Sequence, residues 1–407
     1  ILLEMVILNK KENSMQDFVY NSNVKIIYGE NQLPLVIKEM KKIGNKLLIV
    51  STNSFISGGH LEILENELKK EEFETTILKS GKEPLLSKVK EGIQLCLENN
   101  IEVVLGIGGG VSMDLAKSIA FGTLNNETPL EQYLTYQCST AGLSHLPLIT
   151  IPTNPMSGSE TNEDVQITLD ESGLQVGCPL ARATFTWLNP IYMMSLPKSI
   201  LTYGQMTAFV QLSINYLNLT RSPLAEHYAE GSMKTIIDCL RRCLAHEKDV
   251  DAYGTLLINS ALSLSGINDF GRTPEFIPYP LQSFAQRYLG INYTQALNGL
   301  FPYWLKEIYR ASDDKAIFYR YFKEILNVDN TNKEDETLLQ EALQTLKALY
   351  QEFGIAFTYN EIASDPQNHQ HLVDLIDSFG PMPCHIMSVT TEKLANMIED
   401  AIVGNLN

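Results

Sequence analysis

The 407-residue chain has few of the features that mark membrane, secreted or nucleic-acid-binding proteins. No apolar run is long enough to span a bilayer. The six cysteines are scattered without a CxxC pair, and Cys239 and Cys243, four residues apart in a helical pattern, are typical of a core. Positive charge is scarce, and the formal net charge of −17 disfavours nucleic acid and anionic membrane surfaces as partners. These absences predict a reduced, cytoplasmic protein with no membrane or nucleic-acid partner.

The first fourteen residues, ILLEMVILNKKENS, fit neither a domain nor a targeting segment. They lack the basic start and long apolar centre of a signal peptide. Met15 opens MQDFVYNSNVKIIYGE, which is typical of a natural beginning. We therefore interpret residues 1–14 as an extension of doubtful origin. From Met15 onwards the length and the 44% hydrophobic content predict two domains with a large core.

The stretch IEVVLGIGGGVSMDLAKSIA, residues 101–120, predicts a strand, a glycine turn and a helix. Val103 to Ile107 form an apolar run typical of a strand buried on both faces. The three glycines from Gly108 to Gly110 follow, and residues 112–120 have helical spacing. Such a loop brings backbone N–H groups and a helix N-terminus close to a phosphate, although a tight turn without a ligand has the same pattern. The spacing is neither GxGxxG nor a P-loop.

Strands and helices alternate through the first half of the chain. The predicted strands are 25–29, 46–51, 73–79, 103–107 and 146–152, and the predicted helices between them are 33–43, 60–70 and 86–98. This alternation predicts a mainly parallel sheet covered on both faces. Ligands bind such sheets at the carboxyl ends of the strands, which here are residues 51–53, 108–110 and 152–160.

After Pro197 the pattern becomes helical. The predicted helices are 200–217, 222–246, 251–267, 281–289, 294–310 and 333–353, with Ser222-Pro223 as the cap and first residue of the second. The sequence therefore predicts an α/β domain over residues 15–197 and an all-helical domain over residues 198–407, with a cleft between them.

Several motifs resemble the iron-containing alcohol dehydrogenase family, in its NADPH-dependent butanol and aldehyde reductase branch. GIGGGVSMDLAK resembles the family's GGGS-x2-D-x-AK motif, and PTNPMSGSETN (152–162) is similar to its PTTxGTGSE-type loop. FTWLNPIYMMSLP (185–197), residues 201–218 and residues 284–302 are similar to later landmarks. The resemblance runs from Met15 onwards. It implies a dehydroquinate-synthase-like fold, with a Rossmann-like NAD(P) domain followed by a helical metal domain. It also implies hydride transfer between alcohol and aldehyde or ketone, and a homodimer joined through the α/β domains.

The resemblance also assigns cofactor contacts. It implies a pyrophosphate and nicotinamide side made by Gly108, Gly109, Gly110, Ser112 and Asp114. It implies an adenosine and ribose side made by Thr150, Thr153 and Ser159, with Ser51, Thr52 and Asn53 near the adenine ribose. No acidic residue follows the strand ending at Ser51, and an acidic group there would repel a 2′-phosphate. We therefore expect NADP or NAD, with NADP favoured.

The positions that hold the metal in the family are substituted. Thr207 and Gln211 replace its Asp-x3-His pair, and Tyr279 and Tyr293 replace its two later histidines. Neither threonine, glutamine nor neutral tyrosine is a usual ligand of divalent iron or zinc. A relocated metal site at His369 and His371 would lie in a polar loop. The resemblance also places Leu174 about where the family has a lysine near the nicotinamide. We expect no metal cofactor.

Two functions remain open on the sequence, and a third, an ordinary metal-dependent enzyme, remains only if the register in the helical domain is wrong. The first is a metal-free NAD(P)-dependent oxidoreductase acting on a small alcohol or aldehyde. Tyr279 or Tyr293 would then donate the proton, and Arg272 or Arg287 would stabilise an oxyanion or bind an anionic substrate. The tyrosines would otherwise simply fill the space of the lost metal site. The second function is a catalytically inactive NAD(P)-binding sensor or partner protein, in which cofactor occupancy biases domain closure.

Overall fold

The computed structural model describes residues 15–154, 156, 158–272, 275–363, 369–378, 387 and 389–406. Residues 1–14 therefore lie outside the described part of the chain, as do residues 155 and 157 of the predicted 152–160 loop. The strands are β1 (Lys25–Tyr28), β2 (Lys46–Ser51), β3 (Glu74–Lys79), β4 (Val103–Gly108), β5 (Leu148–Pro152), β6 (Ile167–Thr168), β7 (Gln175–Val176) and β8 (Phe185–Leu188).

Six of these strands form one parallel sheet in the order β1-β8-β5-β4-β2-β3. The predicted parallel sheet is therefore confirmed. The sequence prediction missed β8, which lies between β1 and β5, and it missed the separate antiparallel pair β6 and β7. Strands β4 and β5 are buried along their whole length, which explains their continuous apolar character.

Helices cover both faces of the sheet, as the alternating pattern predicts. They are α1 (Leu33–Met40), α2 (Asn53–Ser57), α3 (His60–Lys70), α4 (Leu86–Asn99), α5 (Gly110–Leu124) and α6 (Leu130–Leu134). One apolar cluster packs α1 and α3 on one face, and a second packs α4 and α5 on the other. Helix α5 is buried over most of its surface, so its first turn is held rigidly at the end of β4.

The described residues of the remaining part form helices joined by loops, with no strand among them. The helices are α7 (Lys198–Tyr216), α8 (Pro223–Ala245), α9 (Val250–Ser263), α10 (Pro278–Leu289), α11 (Tyr293–Ala311), α12 (Ala316–Glu324), α13 (Asp335–Phe353), α14 (His369–Asp377) and α15 (Thr391–Val403). They enclose one large apolar cluster. Among the described residues, no helix is both long and apolar enough to cross a membrane.

Several local predictions in this helical part need correction. The sequence prediction missed α12, α14 and α15 and extended α9 past its end at Ser263. Pro223 does start α8, but the Ser222 side chain makes no capping bond; its backbone N–H instead donates to the buried Glu226 carboxylate. Cys239 and Cys243 are buried core residues of α8, as predicted.

Candidate functional site

Three loops meet at the carboxyl ends of the central strands. The Thr52 N–H donates to Ile107 O at 3.2 Å, and the Thr153 N–H donates to Gly108 O at 2.9 Å. The predicted segments at residues 51–53, 108–110 and 152–154 are therefore neighbours at one edge of the sheet. This edge is where parallel α/β sheets bind their ligands.

Gly108 and Gly109 shape the turn into α5 for different reasons. Gly108 has φ +148°, and an added Cβ would lie 2.5 Å from both Ser112 Oγ and Thr52 Cγ2. Gly109 has an ordinary extended conformation, and its nearest neighbour to an added Cβ is Asn154 at 3.7 Å. Gly108 therefore serves the fold, whereas the bare backbone of Gly109 leaves the N-terminus of α5 open to an anionic ligand.

The end of β2 lies beside Lys79, which the sequence analysis did not predict there because it is far from Ser51 in the chain. Ser51 is the register partner of Lys79 in β3, so both side chains lie on the same face of the sheet. Ser51 is buried, Lys79 is exposed, and Thr52 caps α2 by accepting from Phe55 N–H. Among the described residues, Lys79 forms no ion pair with a carboxylate, so its charge is available next to the predicted adenine-ribose position.

Asp114 lies one turn into α5, and its carboxylate is held by the loop after β5. Ser159 Oγ donates to Asp114 Oδ1 at 2.8 Å, and the Gln166 N–H donates to Asp114 Oδ2 at 3.1 Å. Burial raises the pKa of Asp114 to about 6, against the opposing effects of Lys117 and these two bonds. The structure thus places Ser159 beside Asp114, whereas the resemblance put the two residues on opposite sides of the cofactor.

Two buried ionisable residues next to Asp114 were not predicted as site residues. Lys117 is fully buried, and its Nζ donates to Asn162 Oδ1 at 2.8 Å and to Asp164 O at 2.9 Å. Glu160 is also fully buried, both carboxylate oxygens lack a hydrogen-bond partner in the described structure, and burial raises its pKa to about 7. The three-residue spacing from Asp114 to Lys117 on α5 was the available sequence signal.

Thr150 differs from the other predicted contacts because it lies inside the sheet. It pairs with Gly106 and Thr186 in mid-strand and is fully buried. A contact between Thr150 and a cofactor stays a prediction.

The positions that match the family's metal ligands converge, although they are far apart in sequence. Gln211 Nε2 on α7 donates to Tyr293 Oη at the start of α11, at 3.1 Å. Thr207, one turn earlier on α7, accepts from Asn298 Nδ2 of α11 at 2.9 Å and donates to Tyr203 O. The register inferred from the sequence therefore brings Thr207, Gln211 and Tyr293 to one place.

Tyr279 and Tyr293 are half-buried and electrostatically coupled. Burial raises the pKa of Tyr293 to about 12, with Asp114 raising it further and the Gln211 bond lowering it. Burial also raises the pKa of Tyr279 well above its usual value, and Tyr293 adds to this effect. Because Asp114 raises the pKa of Tyr293, the beginning of α5 and the beginning of α11 act on one another electrostatically.

These residues do not fit a divalent metal ion. Thr207 Oγ1 is committed to two hydrogen bonds, Gln211 offers a neutral carboxamide, and both tyrosines are held neutral by their raised pKa values. Iron and zinc prefer imidazole, carboxylate or thiolate. No cluster of three or more His, Cys, Asp or Glu side chains within the described residues could hold a metal. The segment with His369 and His371 is the start of helix α14 and not a polar loop, and the His369 side chain lies outside the described part.

The two arginines predicted as anion-binding residues do not both approach this site. Arg287 is exposed in the last turn of α10. Arg272 is buried and donates to Asn215 O and Tyr216 O at the end of α7. Arg272 therefore links to the end of α7, and a role of either arginine in binding an anion stays a prediction. Leu174 packs against the helical core.

Comparison with known proteins agrees with this architecture. The family model for iron-containing alcohol dehydrogenases matches residues 23–186. The NADH-dependent butanol dehydrogenase A of Clostridium acetobutylicum is 26% identical over 86% of this chain and 90% of that protein. A probable NADH-dependent butanol dehydrogenase 2 of Bacillus subtilis is 25% identical over 84% of this chain and 87% of its own. The crystal structure of NADH-dependent butanol dehydrogenase A from Thermotoga maritima superposes with a TM-score of 0.88 over 96% of this chain and 100% of that one, at 23% identity.

The fold is therefore that of dehydroquinate-synthase-like dehydrogenases, with a parallel α/β unit followed by a helical unit. The chain is therefore similar to the iron-containing alcohol dehydrogenases, a family of oxidoreductases, through residues 23–186 and through relatives that span most of its length.

Proposed function

We propose that this protein is a nicotinamide-dependent oxidoreductase that interconverts small alcohols and aldehydes or ketones without a metal ion. The observation that carries the proposal is the approach of two parts of the molecule. The open glycine turn and Asp114 lie at the end of β4, and Tyr293 at the start of α11 accepts a hydrogen bond from Gln211, while the Asp114 carboxylate raises the pKa of Tyr293. A nucleotide site and a proton donor in one cleft are what carbonyl reduction needs.

The cofactor is proposed to be NAD(P), bound through the backbone N–H groups at residues 108–110. When bound, the reduced nicotinamide supplies the hydride. Asp114, oriented by Ser159 and Gln166, is proposed to lie on the nicotinamide side of the site. The Thr52 and Ser54 hydroxyls and the nearby Lys79 are proposed to accept a 2′-phosphate, since no carboxylate in this turn repels it. We therefore expect both dinucleotides to bind, with NADPH the tighter, although the two relatives compared above are named for NADH.

The metal-free part of the proposal rests on the donor chemistry at Thr207, Gln211, Tyr279 and Tyr293. None of these side chains supplies an anion or an imidazole at neutral pH. The proton donor and the group that binds the substrate oxygen must then come from the chain itself. The polar side chains at these positions are neutral hydrogen-bonding groups, which suits a small uncharged alcohol or aldehyde as substrate.

One experiment tests the whole proposal. The purified protein is analysed for bound metals, titrated with NADPH and NADH, and assayed for butanal reduction before and after dialysis against a chelator. We expect tight nucleotide binding and turnover that neither the chelator removes nor added Fe²⁺ or Zn²⁺ increases. Stoichiometric iron or zinc, with activity that depends on it, would contradict the metal-free mechanism. Nucleotide binding without turnover of any alcohol or aldehyde would instead indicate the inactive sensor.

We further propose a cytoplasmic homodimer joined through the α/β unit. Strand β1 is at one edge of the sheet, and its Ile26 side chain is partly exposed. An edge strand with an apolar side chain is a surface that proteins usually cover. Light scattering of the wild type and of Ile26→Lys should show a dimer that the substitution weakens, whereas a wild-type monomer would contradict this assembly.

A further inference from the structure

In the hydrogen bond between Gln211 and Tyr293, the tyrosine hydroxyl is the acceptor and does not donate its own proton. Gln211 Nε2 donates and Tyr293 Oη accepts at 3.1 Å. A phenol has one proton to give, and among the described residues no acceptor takes it. The Tyr293 O–H is therefore available to an oxygen atom that enters the cleft.

The pair is rigidly mounted. Gln211 is only 3% exposed and lies in the middle of α7. One turn earlier on the same helix, Thr207 Oγ1 accepts from Asn298 Nδ2 of α11 at 2.9 Å, and Tyr203 O, a further turn back, accepts from the same Nδ2 at 3.5 Å. Tyr293 is also the first residue of α11, which the Asn292 and Gln295 side chains cap. The phenol ring is thus fixed at both its backbone and its hydroxyl.

Accessibility separates the two members of the pair. Gln211 is buried, whereas Tyr293 is half-buried. Tyr293 is therefore the more accessible of the two side chains to a ligand. The partial positive charge at the N-terminus of α11 favours the phenolate that proton donation would leave.

Resting on the proposed function, we propose that Tyr293 is the catalytic acid that binds and protonates the carbonyl oxygen, and that Gln211 is the positioning residue that aims its proton. As the carbonyl carbon gains a hydride from the reduced nicotinamide, its oxygen gains the Tyr293 proton. The new C–H and O–H bonds form, and the C=O π bond and the Tyr293 O–H bond break. Water in the cleft then returns a proton to the phenolate.

Tyr279 lacks the same support. No hydrogen bond to its hydroxyl occurs among the described residues, and Asp269 and Asp164 further oppose its ionisation. Tyr279 is therefore assigned as a wall of the site, and it provides the matched control for Tyr293.

The direction of the reaction gives a separate signature. Reduction needs the protonated phenol, which is the dominant form across the neutral range because the pKa of Tyr293 is raised to about 12. Oxidation needs the phenolate, so its rate should rise about tenfold per pH unit between pH 7 and 10. Because the Gln211 bond lowers that pKa, Gln211→Leu should slow oxidation at every pH in this range without changing the slope.

The test compares Tyr293→Phe, Gln211→Leu and Tyr279→Phe with the wild type. For each protein we would measure the NADPH affinity, kcat and KM for butanal, the pH profile of butanol oxidation, and the affinity of the NADPH complex for butyramide. Butyramide has a carbonyl oxygen that is not reduced, so its binding reports the oxygen site without turnover. We expect Tyr293→Phe to lower kcat at least about 100-fold and to weaken the binding of butyramide, whereas the affinity for NADPH is retained. Gln211→Leu should lower kcat about tenfold, and Tyr279→Phe should lower kcat and butyramide affinity less than Tyr293→Phe does.

Each outcome decides the assignment. Wild-type turnover in Tyr293→Phe, or a greater loss in Tyr279→Phe, would overturn it while leaving the proposed oxidoreductase intact. If the wild type binds NADPH but does not turn over, loss of butyramide binding in Tyr293→Phe still supports the oxygen site, and unchanged binding overturns it. Failure of the wild type to bind either nucleotide would instead refute the proposed function. A flat pH profile for oxidation would contradict the role of the phenol.

Discussion

Gly109→Ala should separate nucleotide binding from folding at the start of α5. Gly109 has φ −92°, a conformation that any residue adopts, and the nearest atom to an added Cβ is Asn154 Cβ at 3.7 Å. The methyl group therefore meets only ordinary contact in the free protein. Replacing glycine at a compatible site often stabilises a protein by about 0.4–1 kcal/mol, so we expect the variant to fold at least as well as the wild type.

The cost should appear when the nucleotide binds. The added methyl group stands where a phosphate must approach the backbone N–H groups of the turn. Hydrogen bonds to a charged group contribute about 1.5–3 kcal/mol each. Losing one of them should therefore lower the affinity for NADPH roughly 10- to 150-fold. Gly109→Val should weaken it further, because its larger side chain fills more of the same space.

Two other glycines provide the controls. Gly108→Ala would place a Cβ 2.5 Å from Ser112 Oγ at a backbone with φ +148°, and it should lower the free energy of unfolding by about 1–3 kcal/mol. Gly231→Ala on α8 meets nothing within 4 Å and should leave nucleotide binding unchanged. The measurements are fluorescence titration with NADPH and urea unfolding. If Gly109→Ala and Gly109→Val were folded and bound NADPH as tightly as the wild type, the glycine turn would not be the phosphate site.

The remaining predictions concern the buried carboxylate and the missing ligands. Glu160 has a usual pKa of 4.5 and a folded-state pKa of about 7, so the unfolded chain releases its proton first and stability is lost as the pH rises from about 4.5 to 7. Glu160→Gln should therefore be more stable than the wild type by up to about 3 kcal/mol at pH 8 and similar to it at pH 4.5, as measured by urea unfolding; the exposed Glu171→Gln is the control, and an equal gain at both pH values would refute the burial argument. Restoring the family's ligands should create zinc affinity measurable by calorimetry, because the Gln211–Tyr293 bond already brings two of the positions to 3.1 Å. The variant carries the substitutions Thr207→Asp, Gln211→His, Tyr279→His and Tyr293→His. If this variant folds but binds no zinc, the alignment of these positions with the family's ligands is wrong.

Local patterns were sufficient for most of the architecture. Strands β2, β4 and β5 are short apolar runs buried on both faces, and such runs are visible without knowledge of their partners. The glycine turn at residues 108–110 was recognisable for the same reason, since its conformation is a local requirement. Strand β8 was missed because its sequence FTWL is too short to show a period, and its place in the sheet depends on β1 and β5.

The prediction of substituted ligand positions also came from the sequence. Thr207 and Gln211 are one helical turn apart, and that spacing alone puts both side chains on one face of α7. The changed chemistry at these positions followed from residue identity, because a carboxamide and a phenol are poor ligands in any fold. The partners of these residues did not follow, since Asn298 is 91 residues from Thr207 and Tyr293 is 82 residues from Gln211.

Only the tertiary structure decided which polar groups became buried together. Sequence showed Asp114, Lys117 and Glu160 as motif residues, but their pKa shifts depend on how much water the packed loop after β5 excludes. The tertiary structure likewise placed Arg287 on the outside of α10 and paired Ser51 with Lys79 in the sheet. Residue type and periodicity are properties of short segments, so the sequence was sufficient for the fold class and for the prediction that the family's metal ligands are replaced. Desolvation and hydrogen bonding between distant segments depend on packing, so the chemistry of the cleft required the folded chain.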